Sequence, residues 1–438
     1  MHTPHPYQRK LLADIKDAYR KCVARGVKVP RIAVQLPTGG GKTLVEVLIA
    51  LGTVKKGGHC MIATGRQELV LQAAADVRKE APCGVVMSGH EASPECAIQV
   101  CSVQTLVARE YAPDGVKVII FDEGHHLKAR TWGSIVAAYT DLEVVFLFTA
   151  TPIGIGGVAD EIVTGPSVQE LTAFGALVPS WVWRPGKASN VLARDPLEVL
   201  LAHPDRSAVV FAESVEASLE LTARAQAVGY PLVHVDGTTK DRAALLATVG
   251  KGASVSNFNV LTEGWNCPPI SLCVLACQSG SLIAYLQRVG RVLRAFEGKV
   301  DALIYDLCGV SHDLGLPDDD RLWTLGKDSG KVKPGVIGSA TCGKCGFGYR
   351  WAPKCPKCGW RSAPRPRMKV RWSELSLAER KAKAPPPHVV LASFMRQAEA
   401  GGWKPGAVFK RFRGVFGRDP SDDERTAARV VVEGRKVA

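Results

Sequence analysis

Two short stretches combine glycine, lysine, threonine and carboxylate residues at spacings suited to chemistry on a bound anion. The first, Leu36–Thr43, follows an apolar run typical of a buried strand and precedes a segment typical of a helix. Its glycines can aim backbone N–H groups and a helix N-terminus at phosphate. Lys42 can reach outer phosphates, and the Thr43 hydroxyl can hold Mg²⁺. The predicted phosphate-binding set is completed by Thr38, Gly39, Gly40 and Gly41.

The second stretch, Phe121–His125, places two adjacent carboxylates at the end of a hydrophobic strand. Asp122 can anchor a metal ion, and Glu123 can orient or deprotonate an attacking water. Either motif alone is compatible with a plain turn or with a solvated acidic pair. Both together, in this order and each after an apolar strand, indicate a nucleoside triphosphate site with Mg²⁺.

Composition narrows the class of protein. The chain has 438 residues, 46% hydrophobic and 22% charged, which predicts two or three globular domains. No apolar run is long enough to span a bilayer, and the N-terminus has no apolar signal core, so we expect a cytoplasmic protein. The net charge of +14 favours a polyanionic partner. Residues 363–438 hold 17 Lys and Arg against 8 Asp and Glu, so they carry +9 of this charge.

Alternating apolar runs and amphipathic segments continue along the first part of the chain. Residues 5–25 predict a helix, and Gln8 at its start could present its amide to an adenine edge or could be an ordinary surface residue. Strands are predicted at Cys60–Thr64, Val100–Leu106 and Val144–Phe148. This alternation predicts a parallel sheet covered on both faces, with polar groups gathered at the carboxyl ends of its strands.

A second alternating set follows residues 153–195, which we interpret as the exit from the first domain. The segment Gln287–Arg294 predicts a helix whose residues 287, 291 and 294 share one face. Arginines on an otherwise apolar segment require an anionic partner, or else form a basic face toward solvent or nucleic acid.

These elements resemble the DExH-box helicases and translocases of superfamily 2, over roughly residues 4–312. Tyr7-Gln8 resembles the adenine-reading element, Leu36–Thr43 motif I and Asp122–His125 motif II. Further matches are Arg66–Gln72 to motif Ia, Thr149–Thr151 to motif III, Thr262–Pro268 to motif V and Gln287–Arg294 to motif VI. Gly124 and Asn266 depart from the commoner alanine or cysteine and aspartate.

The resemblance implies two RecA-like domains with ATP bound between them. Arg291 and Arg294 would reach across the cleft as arginine fingers. It also implies nucleotide contacts from Gly264, Asn266 and Gln287. Contact with a nucleic-acid strand, or coupling to it, is implied for Arg66, Gln104, Thr105, Thr149 and Thr151.

Two C-x-x-C pairs, Cys342/Cys345 and Cys355/Cys358, predict a structural zinc ribbon. A redox pair or four unconnected thiols are the alternatives. Aromatic and basic residues interleave around these cysteines, which suits nucleic-acid contact or packing on the rest of the protein. The other nine cysteines are scattered singly and predict reduced core residues.

The full expectation is an α/β protein with two RecA-like parallel-sheet domains in tandem, then a small zinc ribbon and a helical C-terminal segment. We expect domain 1 at residues 1–165, domain 2 at 166–312, a linker at 313–338 and the zinc ribbon at 339–362. A basic, proline-containing linker at 363–387 and a basic helical domain at 388–438 would follow. This layout resembles RadD-like repair ATPases and related phage helicases.

The function that the resemblance implies is an ATP-dependent DNA helicase or translocase, acting in repair, recombination or replication in a bacterial or phage-infected cell. Two alternatives remain open. One is an RNA helicase, because the motifs do not separate RNA from DNA. The other is a nucleic-acid-binding module whose ATPase core is only a switch or is inert.

Overall fold

The computed structural model describes residues 3–65, 67–90, 93–124, 129–189, 191–333, 339–350 and 352–361, and beyond them 388, 391–392, 394–395, 398, 406–416 and 418–433. The chain divides into two compact units, residues 1–362 and residues 363–438. Within the described residues, no helix is both long and apolar enough to cross a membrane.

Seven parallel strands form the first sheet. Their bounds are β1 (Arg31–Gln35), β2 (His59–Thr64), β3 (Gly84–Val86), β4 (Ile98–Ser102), β5 (Val116–Asp122), β6 (Val144–Thr149) and β7 (Glu161–Thr164). Their order across the sheet is β3-β4-β2-β5-β6-β1-β7. In the described part of this region, five helices accompany them: α1 (Pro6–Ala24), α2 (Lys42–Val54), α3 (Gln67–Arg78), α4 (Val103–Arg109) and α5 (Ala129–Ala137). We refer to this sheet and its five helices as the first lobe.

Both faces of the first sheet are buried because successive strand residues point to opposite sides. On β1, Ile32 and Val34 pack in one apolar cluster with residues of α1, α2 and α3. Ala33 points the other way, into a cluster with Leu106 of α4 and Ile135 of α5. This two-sided burial explains why the strands are nearly continuous apolar runs.

The second sheet contains eight strands. Their bounds are β8 (Ser180–Trp183), β9 (Ala208–Ala212), β10 (Leu232–Val235), β11 (Ser254–Asn257), β12 (Leu272–Ala276), β13 (Ala302–Asp306), β14 (Ser339–Thr341) and β15 (Phe347–Arg350). The order is β10-β11-β9-β12-β13-β8-β15-β14, and all pairs are parallel except β8 with β15 and β15 with β14. Its helices are α7 (Pro196–Leu201), α8 (Val215–Ala227), α9 (Arg242–Thr248), α10 (Leu282–Gly290) and α11 (Ser311–Leu314). This sheet with its helices is the second lobe, and α6 (Val168–Ala173) lies between the lobes in sequence.

The cysteine-bearing hairpin β14–β15 continues the second sheet. Phe347 of β15 pairs with Trp183 of β8. Next to this pairing, Arg184 is 4% exposed, and its guanidinium donates to Thr341 Oγ1 at 2.9 Å and to the Ser311 carbonyl at 2.8 Å. A buried cation with satisfied donors fixes the hairpin against the lobe.

Residues 315–333, which we call the return segment, run from the second lobe back to the first. Ser329 Oγ donates to the Pro152 carbonyl at 2.7 Å, just after strand β6. Leu325 packs against an apolar cluster of the first lobe. Arg350 of the hairpin donates to Asp319 at 3.0 Å. The segment therefore links both lobes to the cysteine-bearing hairpin.

Three predictions about local structure need correction. The predicted strand at Val100–Leu106 ends at Ser102, because Val103 and Leu106 lie on one buried helical face and start α4. Residues 153–195 are more than an exit, since they supply the edge strand β7 to the first sheet and the internal strand β8 to the second. The predicted helix through residue 294 ends at Gly290, and Arg294 instead forms an antiparallel bridge with Leu177.

The second unit contains helices α12 (Ala407–Phe416) and α13 (Asp422–Glu433) within its described residues. Helix α13 begins with a capping box: Glu424 N–H donates to Ser421 Oγ at 3.2 Å, and Ser421 N–H donates to Glu424 Oε2 at 2.8 Å. Phe412 lies at the centre of a small apolar cluster. The predicted linker at 363–387 lies outside the described residues.

Candidate nucleotide-binding cleft and cysteine cluster

The glycine-rich loop joins β1 to α2 in a conformation that requires glycine. Gly39 and Gly41 adopt left-handed φ angles of 85° and 79°, which L side chains rarely adopt. Gly41 is the N-cap of α2, so Lys42 and Thr43 open the helix. A Cβ at Gly41 would lie 2.6 Å from Gln8 Nε2. The loop thus brings backbone N–H groups and a helix N-terminus together, as a phosphate site requires.

Two carboxylates lie at the carboxyl end of the central strand β5, beside this loop. Lys42 Nζ donates to Glu123 Oε1 at 2.8 Å, and both side chains are largely buried, 13% and 15% exposed. Glu123 has a left-handed φ of 51°, and its N–H donates to Asp122 Oδ1 at 2.9 Å. The β5 strand end therefore presents both acids toward the lysine that follows the glycine-rich loop.

Burial and mutual charge shift the protonation equilibria of this cluster. Burial raises the pKa of Asp122 to about 6, against the opposing effect of Lys42. Burial alone would lower the pKa of Lys42, but the carboxylates of Glu123 and Asp122 outweigh it and raise that pKa. A site that mixes one cation and several acids is suited to a bound divalent cation, whose charge would favour ionised carboxylates.

Sequence reasoning missed one acid in this cluster, Glu46. It lies one helical turn after Lys42 on α2 and is 1% exposed. Burial, followed by the charge of Asp122, raises the pKa of Glu46 well above its ordinary value. The signal was an acidic residue flanked by Val45 and Val47 in an otherwise apolar helix segment.

The predicted adenine-reading residues contact the glycine-rich loop directly. The Tyr7 hydroxyl donates to the Gly40 carbonyl at 3.1 Å, and Gln8 Nε2 donates to the Gly41 carbonyl at 3.3 Å. The Tyr7 ring lies 5.5 Å from the ring of Phe174, which is 52% exposed and which sequence reasoning missed. Gln8 and its neighbours therefore form one wall of the cleft above the loop.

The two predicted arginine fingers emerge from the second lobe, held by the motif V segment. Arg291 donates to the Thr262 carbonyl at 2.7 Å and to the Trp265 carbonyl at 2.6 Å. Arg294 donates to the Trp265 carbonyl at 3.4 Å and to Asn266 Oδ1. Burial, reinforced by the positive charge of Arg291, lowers the pKa of Arg294 to about 9.

Both arginines face the first lobe. A Cβ added at Gly39 would lie 3.1 Å from Arg294 Cγ and 2.8 Å from Leu177 Cδ2. The positive charge of Arg291 acts on Asp122, since it opposes the rise in the pKa of that carboxyl that burial causes. The carboxylates and lysine of one lobe and the guanidinium groups of the other therefore share one cleft.

Small residues allow the lobes to approach closely at this cleft. A Cβ at Gly290, the last residue of α10, would lie 2.7 Å from Thr38 Cβ. Gly264 has a φ of 76°, and a Cβ added there would lie 3.3 Å from Leu69 Cγ of α3. Gln287 is buried on α10. A cavity of about 350 Å³ lies along this boundary, lined by residues of motifs I, III and VI and of the return segment.

The residues predicted to contact nucleic acid or relay coupling separate into three groups. Thr149 and Thr151 are fully buried at the end of β6, and the Thr151 N–H donates to Thr149 Oγ1 at 3.0 Å. Gln104 is exposed and donates to the Gly65 carbonyl at 2.8 Å, while Thr105 is buried. Arg66 lies outside the described residues, as does His125 of motif II.

The four clustered cysteines converge. Their sulfur atoms all lie within 4.8 Å of one another, with 3.6 Å between Cys342 Sγ and Cys358 Sγ and 3.9 Å between Cys345 Sγ and Cys355 Sγ. A tetrahedral zinc with Zn–S bonds of about 2.3 Å requires sulfur separations of about 3.8 Å. The donor set therefore fits a closed S₄ site for Zn²⁺.

The two halves of the cysteine cluster are built alike. In each, the glycine after the second cysteine of the C-x-x-C pair has a φ of 71°, and its N–H donates back to the carbonyl of the first cysteine at 2.9 Å. These glycines are Gly346 and Gly359. Against the effect of burial, donation from neighbouring backbone N–H groups lowers the pKa of the Cys342 thiol to about 7. Tight turns that present thiolates are what a structural metal site needs.

Comparisons with known proteins agree with this geometry. The family model described as "Type III restriction enzyme, res subunit" matches residues 1–154, and the model "Helicase conserved C-terminal domain" matches residues 193–296. A "51.5 kDa protein" of a Lactococcus phage is 26% identical over 74% of this chain and 77% of its own length. The "putative mitochondrial ATP-dependent helicase irc3" of Schizosaccharomyces pombe is 28% identical over 74% of this chain. This chain spans only 60% of the length of the irc3 protein.

Solved structures share the fold at low sequence identity. Saccharomyces cerevisiae Dbp5 bound to RNA and ADP–BeF3 matches with a TM-score of 0.51 and 16% identity, over 70% of this chain and 89% of that one. The ATP-dependent Type ISP restriction-modification enzyme LlaBIII bound to DNA matches with a TM-score of 0.51 and 14% identity, over 69% of this chain and 27% of that one. The predicted fold class is confirmed, and the narrower RadD-like resemblance stays a prediction. Both helicase-type domain models match in order and the two lobes meet at one cleft, which together with the phage relative indicates a superfamily 2 helicase.

Proposed function

We propose that this protein hydrolyses ATP in response to nucleic acid and uses the cycle to move along or remodel DNA. One observation carries the proposal: Arg294 of the second lobe lies against Gly39 of the glycine-rich loop, while Lys42 and Glu123 form an ion pair in the same cleft. Catalysis that needs groups from two lobes can be switched by their relative movement.

Each side chain has a distinct proposed role. Lys42 binds the outer phosphates, and Glu123 orients the attacking water and accepts its proton. Arg291 and Arg294 stabilise negative charge in the transition state. Mg²⁺, held by Thr43 and Asp122, would neutralise phosphate charge on the nucleotide. Gln8, Gly264, Asn266 and Gln287 complete the proposed nucleotide site.

The ion pair between Lys42 and Glu123 gives the site a resting state. A phosphate that binds Lys42 competes with Glu123 for the ammonium group, so nucleotide binding frees the carboxylate for the water. Because both side chains are largely buried, their mutual attraction is stronger than at a surface. The pair therefore keeps the proposed base occupied until substrate arrives.

We propose DNA as the nucleic acid that the protein moves along or remodels, with RNA as the second candidate. The matched family description and the DNA-bound restriction enzyme favour DNA. The similarity to a Dbp5 structure bound to RNA keeps RNA as an alternative. We propose that Arg66, Gln104 and Thr105 contact the strand and that Thr149 and Thr151 relay coupling. A role in repair, recombination or replication, in the cytoplasm of a bacterial or phage-infected cell, stays a prediction.

The proposed domain division follows the two sheets. The strands of the first sheet end at Thr164 and those of the second begin at Ser180, which supports a boundary near residue 165. We propose zinc as the ion of the cysteine cluster, in a structural role, because four thiolates leave no open coordination position.

The proposed function is tested by measuring ATP hydrolysis with no nucleic acid, single-stranded DNA, forked DNA or RNA. Stimulation by DNA and loss of turnover in a Lys42→Ala protein are expected. Stimulation by RNA alone would replace DNA by the second candidate. Equal turnover in the wild type and Lys42→Ala would favour a nucleic-acid-binding module with an inert core.

A further inference from the structure

A single lysine in the loop after motif VI, Lys299, donates hydrogen bonds to three backbone carbonyls. Lys299 Nζ donates to the carbonyls of Pro268 at 3.0 Å, Ile270 at 2.6 Å and Arg294 at 2.9 Å. A protonated amine has three N–H donors, so these acceptors use all of them. Its side chain extends from a loop whose Gly298 has a left-handed φ of 76°.

The three acceptors belong to two segments: the end of the motif V region, and the backbone at Arg294. Pro268 is the last residue of the motif V stretch, whose carbonyls accept from Arg291 and Arg294, and Ile270 lies just after it. The third acceptor is the backbone of Arg294 itself, beyond the end of α10. Lys299 therefore closes a ring of contacts in which one segment holds the side chain of Arg294 and the lysine holds its backbone.

We propose that Lys299 is a positioning residue for ATP hydrolysis, which fixes the backbone of Arg294 against the motif V loop and so directs its guanidinium at the glycine-rich loop. This inference rests on the proposed function. Helix α10 has ended before Arg294, so no helical hydrogen bond orients that residue. Its antiparallel bridge with Leu177 holds it from one side, and Lys299 holds it from the other.

The charges around Lys299 make its contribution dependent on pH. Burial, followed by the charge of Arg294 and more weakly that of Arg206, lowers the pKa of Lys299 to about 8, while Cys267 and Asp301 act in the opposite direction. Above pH 8 the neutral amine has two donors for three carbonyls, and its hold on Arg294 weakens. The Arg294 guanidinium, with a pKa of about 9, is still mostly protonated at pH 8.5, so it keeps its charge while Lys299 loses most of its own.

Stability responds to pH in the opposite sense. The pKa of Lys299 is lower in the folded protein than its ordinary value of 10.5, so the unfolded chain binds more protons between these values. The contribution of this group to stability therefore rises with pH from about 8 to 10.5. A loss of turnover in that range cannot come from unfolding driven by Lys299.

The test compares Lys299→Met, Lys299→Arg and the wild type by steady-state ATPase kinetics at saturating single-stranded DNA, from pH 7 to 8.5, below the pKa of about 9 of Arg294. Lys55→Met, at an exposed site on the first lobe, is the matched control. We expect Lys299→Met to lower kcat about 10- to 100-fold, because a guanidinium displaced by about 1 Å from its catalytic position can lower the rate by about that factor. KM for ATP should stay within about 2-fold, since Arg294 stabilises the transition state more than bound substrate.

The conservative variant Lys299→Arg distinguishes a positioning role of Lys299 in catalysis from a purely structural role. Lys299→Arg should recover most of the lost kcat at pH 7 and should lack the fall in activity that the wild type shows above about pH 8. A wild-type fall above pH 8 that persists unchanged in Lys299→Arg would overturn the proposal. So would a rise in KM with kcat unchanged.

A second measurement distinguishes failure of this inference from failure of the proposed function. Hydrogen exchange of the nucleotide-free protein reports segments 262–271 and 291–299 without any need for turnover. Faster exchange there in Lys299→Met, with β12 and the Lys55→Met control unchanged, supports the positioning geometry. If the wild type hydrolyses no ATP, only the proposed function fails. Unchanged exchange together with unchanged kcat overturns the role of Lys299.

Discussion

The two walls of the cleft hold their charged groups in different ways. In the first lobe, Lys42 is neutralised by a carboxylate of the same lobe, Glu123, at 2.8 Å. In the second lobe, Arg294 donates to a carbonyl and to an amide oxygen, and Lys299 donates to carbonyls. Neutral acceptors orient a cation without cancelling its charge, whereas a carboxylate partner does both.

This difference explains how each wall can serve the same reaction. The first wall must exchange partners, because substrate phosphate has to displace Glu123 from Lys42. The second wall must stay rigid, because preorganised charge is what stabilises a transition state. The Lys42–Glu123 ion pair, which must break, and the arginine contacts, which must persist, therefore have complementary roles in one reaction.

The largest effect is expected from removing a guanidinium of the rigid wall. Arg291→Ala should lower kcat by about 10³- to 10⁵-fold, the range known for arginine fingers. Binding of ADP, measured by calorimetry, should change little, because the group acts on transition-state charge. If ADP binding is lost in parallel with kcat, Arg291 has a ground-state role and the contrast between the two walls disappears.

The next effect concerns the exchangeable wall. Glu123→Gln should lower kcat by about 10²- to 10⁴-fold, because the amide cannot accept the proton of the attacking water. ATP binding should become tighter, since Lys42 no longer has a carboxylate to release. Stopped-flow binding of a fluorescent ATP analogue measures this. Weaker binding in Glu123→Gln would contradict the partner-exchange scheme.

A smaller effect is expected where the walls meet. Gly290→Ala places a Cβ 2.7 Å from Thr38 Cβ, so one lobe must shift. A shift of that kind should lower kcat about 10-fold or more, through the misplaced arginines. Gly280→Ala is the control, since no atom lies within 4 Å of an added Cβ there. Unchanged turnover in Gly290→Ala would mean that the lobes do not need this approach.

The smallest effect on turnover is expected from the cysteine cluster. Cys342→Ser should abolish stoichiometric zinc, measured by a colorimetric chelator after unfolding, because three thiolates hold the ion far more weakly. Hydrogen exchange should accelerate in β8, which pairs with β15, while β1 of the first lobe stays protected. Equal acceleration in both strands would show that the hairpin supports the whole unit rather than the second lobe.

Much of the fold followed from local patterns. Apolar runs that end in polar residues predicted the strands carrying Asp122 and Thr149, because strands buried on both faces must be apolar throughout. Regular pairs of cysteines predicted the cluster, because spacing within each pair is a local property. The capping box at Ser421 and Glu424 is equally local, because its two residues are three apart in the chain.

Features that depend on contact between distant segments were not predictable. Arg294 leaves the helix expected for it because it pairs with Leu177, more than 100 residues away in sequence. No periodic pattern in the sequence predicts the burial of Glu46 or the three carbonyls that accept from Lys299. The same holds for the hairpin that extends the second sheet.

The sequence alone determined which groups are available for chemistry and which strands and helices carry them, because residue type and short spacing set both. Only the tertiary structure decided how those groups are paired: a lysine with a carboxylate in one wall, arginines with carbonyls in the other. Pairing depends on which segments approach within a few ångström, and that is settled by packing of the two lobes rather than by any local pattern.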